Sequence, residues 1–505
     1  MPEKPFNSSR RKALKTGALA GIGTLIAVNG ITGGIGSSAF SQPNSKAELF
    51  KNLVPQIFVT VSAIGKSKTG IINDGADFGP DTSGTTTSGI QEALKSIAST
   101  GGLVYCVNNG TYDIAGSVIA TGNNQTLYFE PGCILDLDAS GSYNSGGVFY
   151  PFSDSSSYNY NGNLWLGNGT EINTNALTST YTILNCGNVS YGTAGSCTAT
   201  GLVEGFDIVN LAITGLAMIG ANSAGYDPEY YECIRQVTLR HIYISFASSA
   251  SSSPAGLYIG GSAYQIVVDG CVVDQTGSDL SGADACFIRS QWGNVSHVDF
   301  RSCIFIASNS SNTPLEIQGA DNASGCTTEF ITFEDCEFDN SYNFIDDDYG
   351  SSYYAYVNNI EFRRCLFTST MLFDSAPQNS SLTYGWPLGY VRFVDCDLGD
   401  QSWSSFVSSA LSNRSPGQSV DISSMFKGAS GTTYTNGQLV TGLNSEIQPF
   451  DQTILVFGGS AVSISIDGQP SGSSGGPASG SFVLRAGHSI TIYFTKAPSV
   501  YLCPL

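Results

Sequence analysis

The sequence is poor in charged residues and poorer still in histidine. Only 12% of its 505 residues are charged, and it contains three histidines, His241, His297 and His488. Asp and Glu number 41 against 21 Lys and Arg, which gives a formal net charge of −20. Because contact with phosphate backbones needs a basic surface, this composition argues against nucleic acid as a partner. It would also repel a polyanionic glycan unless arginines or bound cations bridge the two.

The N-terminal region lacks the strongly apolar run of a stable membrane span. The run from Gly17 to Ile35 is mild and rich in glycine. It follows Ser9-Arg10-Arg11-Lys12-Ala13-Leu14-Lys15, the pattern of a twin-arginine export signal. We predict that residues 1–41 are this signal, with an uncleaved anchor as the alternative. The mature protein is then expected to be extracytoplasmic, secreted or at the cell surface, and not an integral membrane protein.

The 13 cysteines lack the short spacing of metal sites. Five of them recur in one pattern (apolar, any, apolar, any, polar, Cys, any, apolar), with spacings of 32, 33, 29 and 31 residues: Cys271, Cys303, Cys336, Cys365 and Cys396. A fixed period of this size is typical of stacked-repeat proteins.

Each repeat contains two short segments with the alternation of half-buried strands. The cysteine-bearing segment is one, and the other occurs at Leu257–Ile259, Cys286–Ile288, Leu315–Ile317, Asn343–Ile345 and Met371–Phe373. Such coils must stack to bury their inner faces, which predicts an all-β parallel solenoid. The five thiols would form an inward column of free cysteines. Cys186 and Cys197 are the best disulfide candidates.

Together with the signal, the sequence divides into four predicted segments. After the signal we predict a linker over 42–65, the solenoid over 66–440 and a small antiparallel β-module over 441–505. The module either caps the solenoid or binds a glycan or a partner chain. A helix from Ser88, with a capping box between Ser88 and Gln91, is expected to cover the first coil.

The N-terminal part of the solenoid resembles a known family. Asp74-Gly-Ala-Asp77, the helix Ile90-Gln-Glu-Ala-Leu94, Gly102-Leu-Val-Tyr105 and Gly110-Thr-Tyr112 resemble the first coil of the pectin-lyase-like superfamily, in particular its rhamnogalacturonase/epimerase-like branch. The resemblance implies a right-handed parallel β-helix and, commonly, action on polysaccharides.

The best-known catalytic motifs of that superfamily are missing. No histidine lies between glycines, and Arg-Ile-Lys does not occur, so the polygalacturonase pattern is absent. The pectate-lyase pattern Arg-x-Pro-x-x-Arg has one near match, from Arg414, which ends in Ser419.

Acidic and aromatic residues gather along the second strand of successive coils. Carboxylates can move protons, and flat rings can stack on sugars, so we predict catalytic residues at Glu316, Asp346, Asp347, Asp348 and Asp374. The predicted substrate-binding residues are Arg289, Trp292, Gln318, Tyr349, Tyr353 and Tyr354. Asp346, Asp347 and Asp348 could instead bind calcium, which takes oxygen ligands, or be solvated turn residues. No other cofactor is expected.

Three functions stay open from the sequence, and whether the protein is an enzyme is one of the open points. The first is hydrolysis of an extracellular polysaccharide, with Glu316 or Asp374 as acid and an aspartate of 346–348 as base or nucleophile. The second is a calcium-dependent lyase with Arg289 as base, and the third is a non-catalytic glycan-binding surface or adhesion protein. A homotrimer is the assembly that long solenoid side loops would allow.

A further charge pattern lies on the cysteine-bearing strand. Its outward positions alternate in sign from coil to coil: Arg240, Asp269, Arg301, Glu334 and Arg363. This pattern predicts a surface ladder of ion pairs that helps to fix the register of the coils.

Overall fold

A computed structural model describes most of the region from residue 57 to residue 397 and the strands beyond it. The described ranges are 57–65, 76–144, 147–152, 160–174, 177, 182–187, 199–219, 234–247, 255–276, 283–290, 293–308, 312–319, 326–340, 342–346, 355–368, 370–374, 391–394 and 396–397, with the C-terminal strands given below.

Three parallel sheets run the length of this region. Sheet 1 has nine strands: β4 (Val118–Ile119), β7 (Gly147–Tyr150), β9 (Thr182–Asn185), β11 (Thr214–Ile219), β14 (Leu257–Gly260), β17 (Asp284–Arg289), β20 (Thr313–Gln318), β23 (Tyr342–Asp346) and β26 (Thr370–Asp374).

Sheets 2 and 3 are hydrogen-bonded into one 19-stranded set, because two long strands belong to both. Sheet 2 contains β1 (Phe58–Ser62), β2 (Gly102–Val107), β5 (Gln125–Phe129), β8 (Asn161–Asn173), β10 (Ala199–Leu211), β12 (Ile234–Arg240), β15 (Ala263–Asp269), β18 (Val295–Arg301), β21 (Cys326–Glu334), β24 (Ala355–Arg363), β27 (Val391–Val394) and β28 (Val420–Asp421). Sheet 3 contains the ends of β8 and β10 with β3 (Thr111–Gly116), β6 (Ile134–Ser142), β13 (Tyr243–Phe246), β16 (Val272–Asp274), β19 (Ile304–Ile306), β22 (Glu337–Asp339) and β25 (Leu366–Phe367).

Each coil contributes one strand to each sheet, and each strand pairs in parallel with its equivalent one coil later. Thus β14, β15 and β16 pair with β17, β18 and β19, and these pair with β20, β21 and β22. Parallel strands joined by crossovers of this kind turn right-handed. The predicted right-handed parallel β-helix is therefore confirmed as the fold.

A single left-handed residue turns the chain from sheet 2 into sheet 3. The residue has a φ between +51° and +62° in five successive coils: His241, Gly270, Ser302, Asp335 and Arg364. Gly270 cannot be replaced freely, because a Cβ there would lie 2.7 Å from His241 Cδ2 of the preceding coil. One sharp bend of the backbone thus separates the two sheets without a loop.

The core is built from columns of identical side chains. Phe300, Phe333 and Phe362 stack with ring centroids 4.5 and 4.9 Å apart, and all three are fully buried. A second column of Phe305, Phe338 and Phe367 packs edge-on against the first. The repeat of one inward phenylalanine per coil in sheets 2 and 3 makes the interior continuous along the axis over these three coils.

All five repeat cysteines are buried in this core. The Sγ atoms of Cys303, Cys365 and Cys396 lie 3.4, 3.3 and 3.4 Å from backbone carbonyls of the preceding coil. Cys186 is also a free, buried thiol, whereas Cys197, the other half of the candidate disulfide, lies outside the described residues. Thiols that pack as small hydrophobic groups need no partner cysteine.

The helix α1 (Ile90–Ser96) buries Ile90, Ala93 and Leu94 in the same core and contacts β1, β2 and β4. The predicted capping box is wrong. Gly89 occupies the N-cap position with φ +87°, and the backbone N–H of Gln91 donates to the hydroxyl of Thr87 instead. The Gln91 side chain points inward and bonds the backbone of Ile119. That the helix covers the solenoid end stays a prediction.

The ends of the solenoid differ in detail from the predicted segments. Strand β1 lies in the expected linker, yet it pairs in parallel with β2. The antiparallel strands begin at Ser430 and form two four-stranded sheets. One contains β29 (Ser430–Thr433), β36 (Ser499–Pro504), β31 (Gln452–Phe457) and β34 (Gly480–Leu484), and the other β30 (Gln438–Val440), β35 (Ile490–Lys496), β32 (Ser460–Ile466) and β33 (Gln469–Pro470).

Candidate active site

The predicted site residues of sheet 1 lie on successive coils in one register. Arg289 at the end of β17 pairs with Gln318 at the end of β20. Gln318 pairs in turn with Asp346, and Asp346 with Asp374. Glu316 lies two residues before Gln318 and receives a hydrogen bond of 2.6 Å from the Gln318 side-chain amide. These residues therefore lie at or near the C-terminal ends of four neighbouring strands of sheet 1, one strand from each of four coils.

A carboxyl pair lies beside this column. The carboxyl groups of Glu316 and Asp284 are hydrogen-bonded to one another across neighbouring coils. Asp284 begins β17 and also accepts a hydrogen bond from the Thr313 hydroxyl, which faces it in the register. Both carboxyl groups are partly exposed, whereas Thr313 and Gln318 are buried. The pair is thus held from both sides by uncharged donors and is reachable from solvent.

The environment of Asp284 favours a proton on the pair. Desolvation raises the pKa of Asp284 above its ordinary value, and the hydrogen bonds from Thr313 and Glu316 oppose this shift. A hydrogen bond between two carboxyl groups requires one proton, and the raised pKa of Asp284 favours keeping that proton on the pair. Such a pair is one of the standard ways to keep a carboxylic acid available as a proton donor.

Aromatic residues extend the outer face of sheet 1 over the two preceding coils. Tyr258 and Phe287 occupy the positions that align with Glu316, and their rings stack at 5.1 Å. The guanidinium carbon of Arg289 lies 5.8 Å from the centroid of Phe287. From one coil to the next, this face of sheet 1 thus changes from apolar rings to a carboxyl group, and the Arg289 guanidinium lies between them.

Several predicted residues fall outside what the structure describes. Trp292, Asp347, Asp348, Tyr349, Tyr353 and Tyr354 belong to segments outside the described ranges. The strand positions of Asp346 and Asp374 are defined by their pairing alone. The calcium hypothesis depends on Asp347 and Asp348 and therefore stays a prediction.

Sequence reasoning missed Asp284, Thr313, Tyr258 and Phe287. The two aromatic residues are the central residues of segments already identified as strands, so their outward position could have been predicted from the alternation. Asp284 gave no comparable signal, because it lies two residues before Cys286 and shares its parity in the strand. Its partnership with Glu316 depends on side-chain directions across two coils.

The predicted ion-pair ladder on sheet 2 is only partly formed. The register of Arg240, Asp269, Arg301, Glu334 and Arg363 is as expected. Arg240 contacts Asp269 on the next coil at 3.3 Å, but Arg301 and Arg363 contact carboxylates two residues earlier in their own strands. Glu334 is contacted by Arg364 of the turn instead. Carboxylates on the same face of the same strand compete successfully for these arginines.

Within the described ranges, no group of three or more His, Cys, Asp and Glu side chains is placed to hold a metal ion. A search of the same residues found no helix with the length and apolar character needed to cross a membrane.

Comparison with solved structures found distant neighbours. The chain is similar to an endo-xylogalacturonan hydrolase from Aspergillus tubingensis, at 15% identity and a TM-score of 0.33 over 73% of this chain and 92% of that one. It is similar to ORF18 of Geobacillus virus E2, at 12% identity and a TM-score of 0.34 over 78% and 72% of the two chains. WceF of Pantoea stewartii is described as a glycan biofilm modifying enzyme with a bacteriophage tailspike-like parallel β-helix fold. It matches at 10% identity and a TM-score of 0.30 over 84% and 60%.

The parallel β-helix that the sequence resemblance implies is the fold shown by the strand pairing of the described residues. A scan against models of protein families found no match, and a search of curated proteins found no relative. The fold leaves the reaction open, because one fold serves many functions.

Proposed function

We propose that the protein is an exported enzyme that hydrolyses a glycosidic bond in an extracellular polysaccharide. The observation that carries this proposal is the pair of carboxyl groups of Glu316 and Asp284 on neighbouring strands of sheet 1, held by Gln318 and Thr313. Glycoside hydrolysis needs one protonated and one ionised carboxyl group on either side of the bond. The stacked rings of Tyr258 and Phe287 supply an apolar wall for a sugar next to the acid.

Glu316 would act as the general acid. Its proton passes to the glycosidic oxygen as the bond from that oxygen to the anomeric carbon breaks. Asp284, whose pKa is raised by desolvation, would then return its proton to the Glu316 carboxylate, and the pair would regain a proton from solvent. Gln318 and Thr313 hold the two groups in place during this exchange.

Asp346 would act as the general base. A strand advances about 3.3 Å per residue and its neighbours lie about 4.8 Å away, so the Cα atoms of Glu316 and Asp346 are about 8 Å apart. The same arithmetic gives about 12 Å for Asp374, one coil further. Inverting enzymes hold their carboxyl groups about 6.5–9.5 Å apart. Asp346 would take a proton from water, whose oxygen bonds the anomeric carbon, and the anomeric configuration would invert.

The test is a glycan panel with matched variants, read by reducing ends and by the absorbance of unsaturated uronates, with and without calcium. Glu316→Gln should lower kcat by about 10²–10⁴-fold on the glycan that the protein cuts. Asp138→Asn is the control, because this exposed carboxylate lies on β6, away from sheet 1. Wild-type turnover by Glu316→Gln would refute the proposal. Unsaturated products would identify a lyase, and tight binding without cleavage of any glycan a binding protein.

A further inference from the structure

Sheet 2 carries a second surface that the proposed reaction does not use. One residue per coil, immediately before an inward aliphatic residue, forms an outward column that we call the planar strip: Gln236, Gln265, His297, Phe330 and Asn359. The first four are exposed and Asn359 is half-buried. The residue before each of the first four also faces away from the core. The pairing register between their strands passes over the strip position without a shift. Gln236 is the extra residue of a β-bulge against β10, and the other four occupy the same position in the following coils.

All five residues have left-handed backbone conformations. Their φ angles are +55°, +54°, +57°, +56° and +53° in chain order. Glycine suits such a position best, and Gly162 fills the corresponding bulge of β8 with φ +72°. Phe330 in particular is a bulky residue in a region that bulky residues avoid. Non-glycine residues also take this conformation at the turn into sheet 3, so Phe330 is the member of the strip whose backbone points to a role for its side chain.

The side chains of the planar strip contact one another along the axis. The amide groups of Gln236 and Gln265 are hydrogen-bonded at 3.4 Å. The ring of His297 lies 4.8 Å from that of Phe330 and 4.9 Å from that of Tyr264, which flanks the strip. Phe330 ends this stack with 43% of its surface exposed. The result is a row of amides and rings that repeats about every 4.8 Å.

We propose that the planar strip binds a neutral glycan chain that lies along the axis of the solenoid. Amides donate to and accept from sugar hydroxyls, and rings pack on the apolar faces of sugars. None of the five side chains carries a formal charge when His297 is neutral, in a protein of net charge −20. A neutral polymer therefore meets no repulsion that the strip would have to offset, unlike a polyanion.

A second copy of this chain fits the strip less well. Stable protein interfaces bury about 800 Å² on each partner around an apolar centre. Among the described residues, the exposed large hydrophobic side chains are Ile57, Ile64, Ile134 and Phe330, and only Phe330 belongs to the strip. One ring flanked by polar groups is the composition of a sugar subsite rather than of an oligomer interface.

The strip and the carboxyl pair are on different sheets, so binding and cleavage can be separated. The strip would hold the polymer while the pair on sheet 1 acts on it, and binding should survive when cleavage is abolished. The probes are native gels that contain hydroxyethyl cellulose, galactomannan or polygalacturonate, run with the Glu316→Gln protein so that no glycan is cut.

The test variant carries His297→Gly and Phe330→Gly. Both glycines fit the left-handed backbone, so the fold should be kept, which thermal unfolding would verify. Ser302→Gly is the matched control, because it makes the same change at a left-handed turn outside the strip. We expect retardation by a neutral glycan, affinity about tenfold weaker in the double variant, and no change in the control.

Three outcomes would overturn the proposal: no retardation by either neutral glycan, equal retardation of the double variant, or retardation by polygalacturonate alone. A double variant that loses self-association in gel filtration, with its glycan binding unchanged, would show that a second copy occupies the strip. Failure of Glu316→Gln to lose activity would instead contradict the proposed reaction and leave the strip unaffected.

Discussion

At the scale of single residues, Asp284 is the most informative side chain. Its carboxyl group is bonded by Thr313 and Glu316, yet desolvation still raises its pKa. The folded protein therefore keeps a proton on this group at a pH where the unfolded chain, with a pKa near 3.9, has lost it. This contribution to stability is complete below the unfolded value and is lost as the pH rises through the folded value.

Asp284→Asn should remove this dependence. Between about pH 4 and neutrality, the melting temperature of the wild type should fall relative to that of the variant. Calorimetry of both proteins over that range measures the difference, with Asp138→Asn as the exposed comparison. A wild type that gains stability over the variant as the pH rises would show that Asp284 is ionised in the fold.

At the scale of elements, the inward columns define the coil. Phe333 is fully buried between Phe300 and Phe362, while Phe330, three residues earlier in the same strand, is exposed. Because both are phenylalanines of one strand, a comparison of the two isolates the effect of burial on stability. The columns also explain why the length of a coil can vary slightly around 31 residues. The added or missing residues fall between the strands, so the inward side chains stay aligned.

Phe333→Ala should lower the free energy of unfolding by about 3–5 kcal/mol, because it removes a ring from the centre of a column. Phe330→Ala should change it by less than about 1 kcal/mol. Chemical denaturation followed by circular dichroism measures both. Equal losses from the two variants would contradict the inward direction of the Phe333 column.

The repeat spacing was sufficient to predict the coil, the parallel sheets and the shared register of Arg289, Gln318, Asp346 and Asp374. Each depends only on which residues are equivalent from coil to coil. The carboxyl pair was not predictable in this way, because Asp284 and Glu316 occupy different positions in their strands. The ion-pair ladder was overestimated for a similar reason, since Arg301 and Arg363 select partners within their own strands.

At the scale of the whole molecule, the buried thiols bear on the predicted route of export. The ten solenoid cysteines whose side chains the structure describes are all buried. Twin-arginine export carries proteins that have already folded, in a compartment that keeps thiols reduced. Such a route suits a core with many cysteines, whereas folding in an oxidising compartment would expose the thiols before burial.

Replacing Arg10 and Arg11 together by Lys should leave the protein inside the cell as a folded precursor. Lys12→Arg keeps the arginine pair and serves as control. Cell fractionation and the size of the product measure the outcome. Normal export of the double variant would contradict the predicted signal.

The direction of the hydrogen bonds between coils has a mechanical consequence. Because each strand bonds only to its equivalents in the coils before and after it, these bonds lie along the solenoid axis. A force along that axis therefore breaks the hydrogen bonds between one pair of coils at a time and does not load many of them in parallel. Stretching between positions on β1 and β27 should give a regular sawtooth, and each step should release about 31 residues, or roughly 100 Å of extended chain.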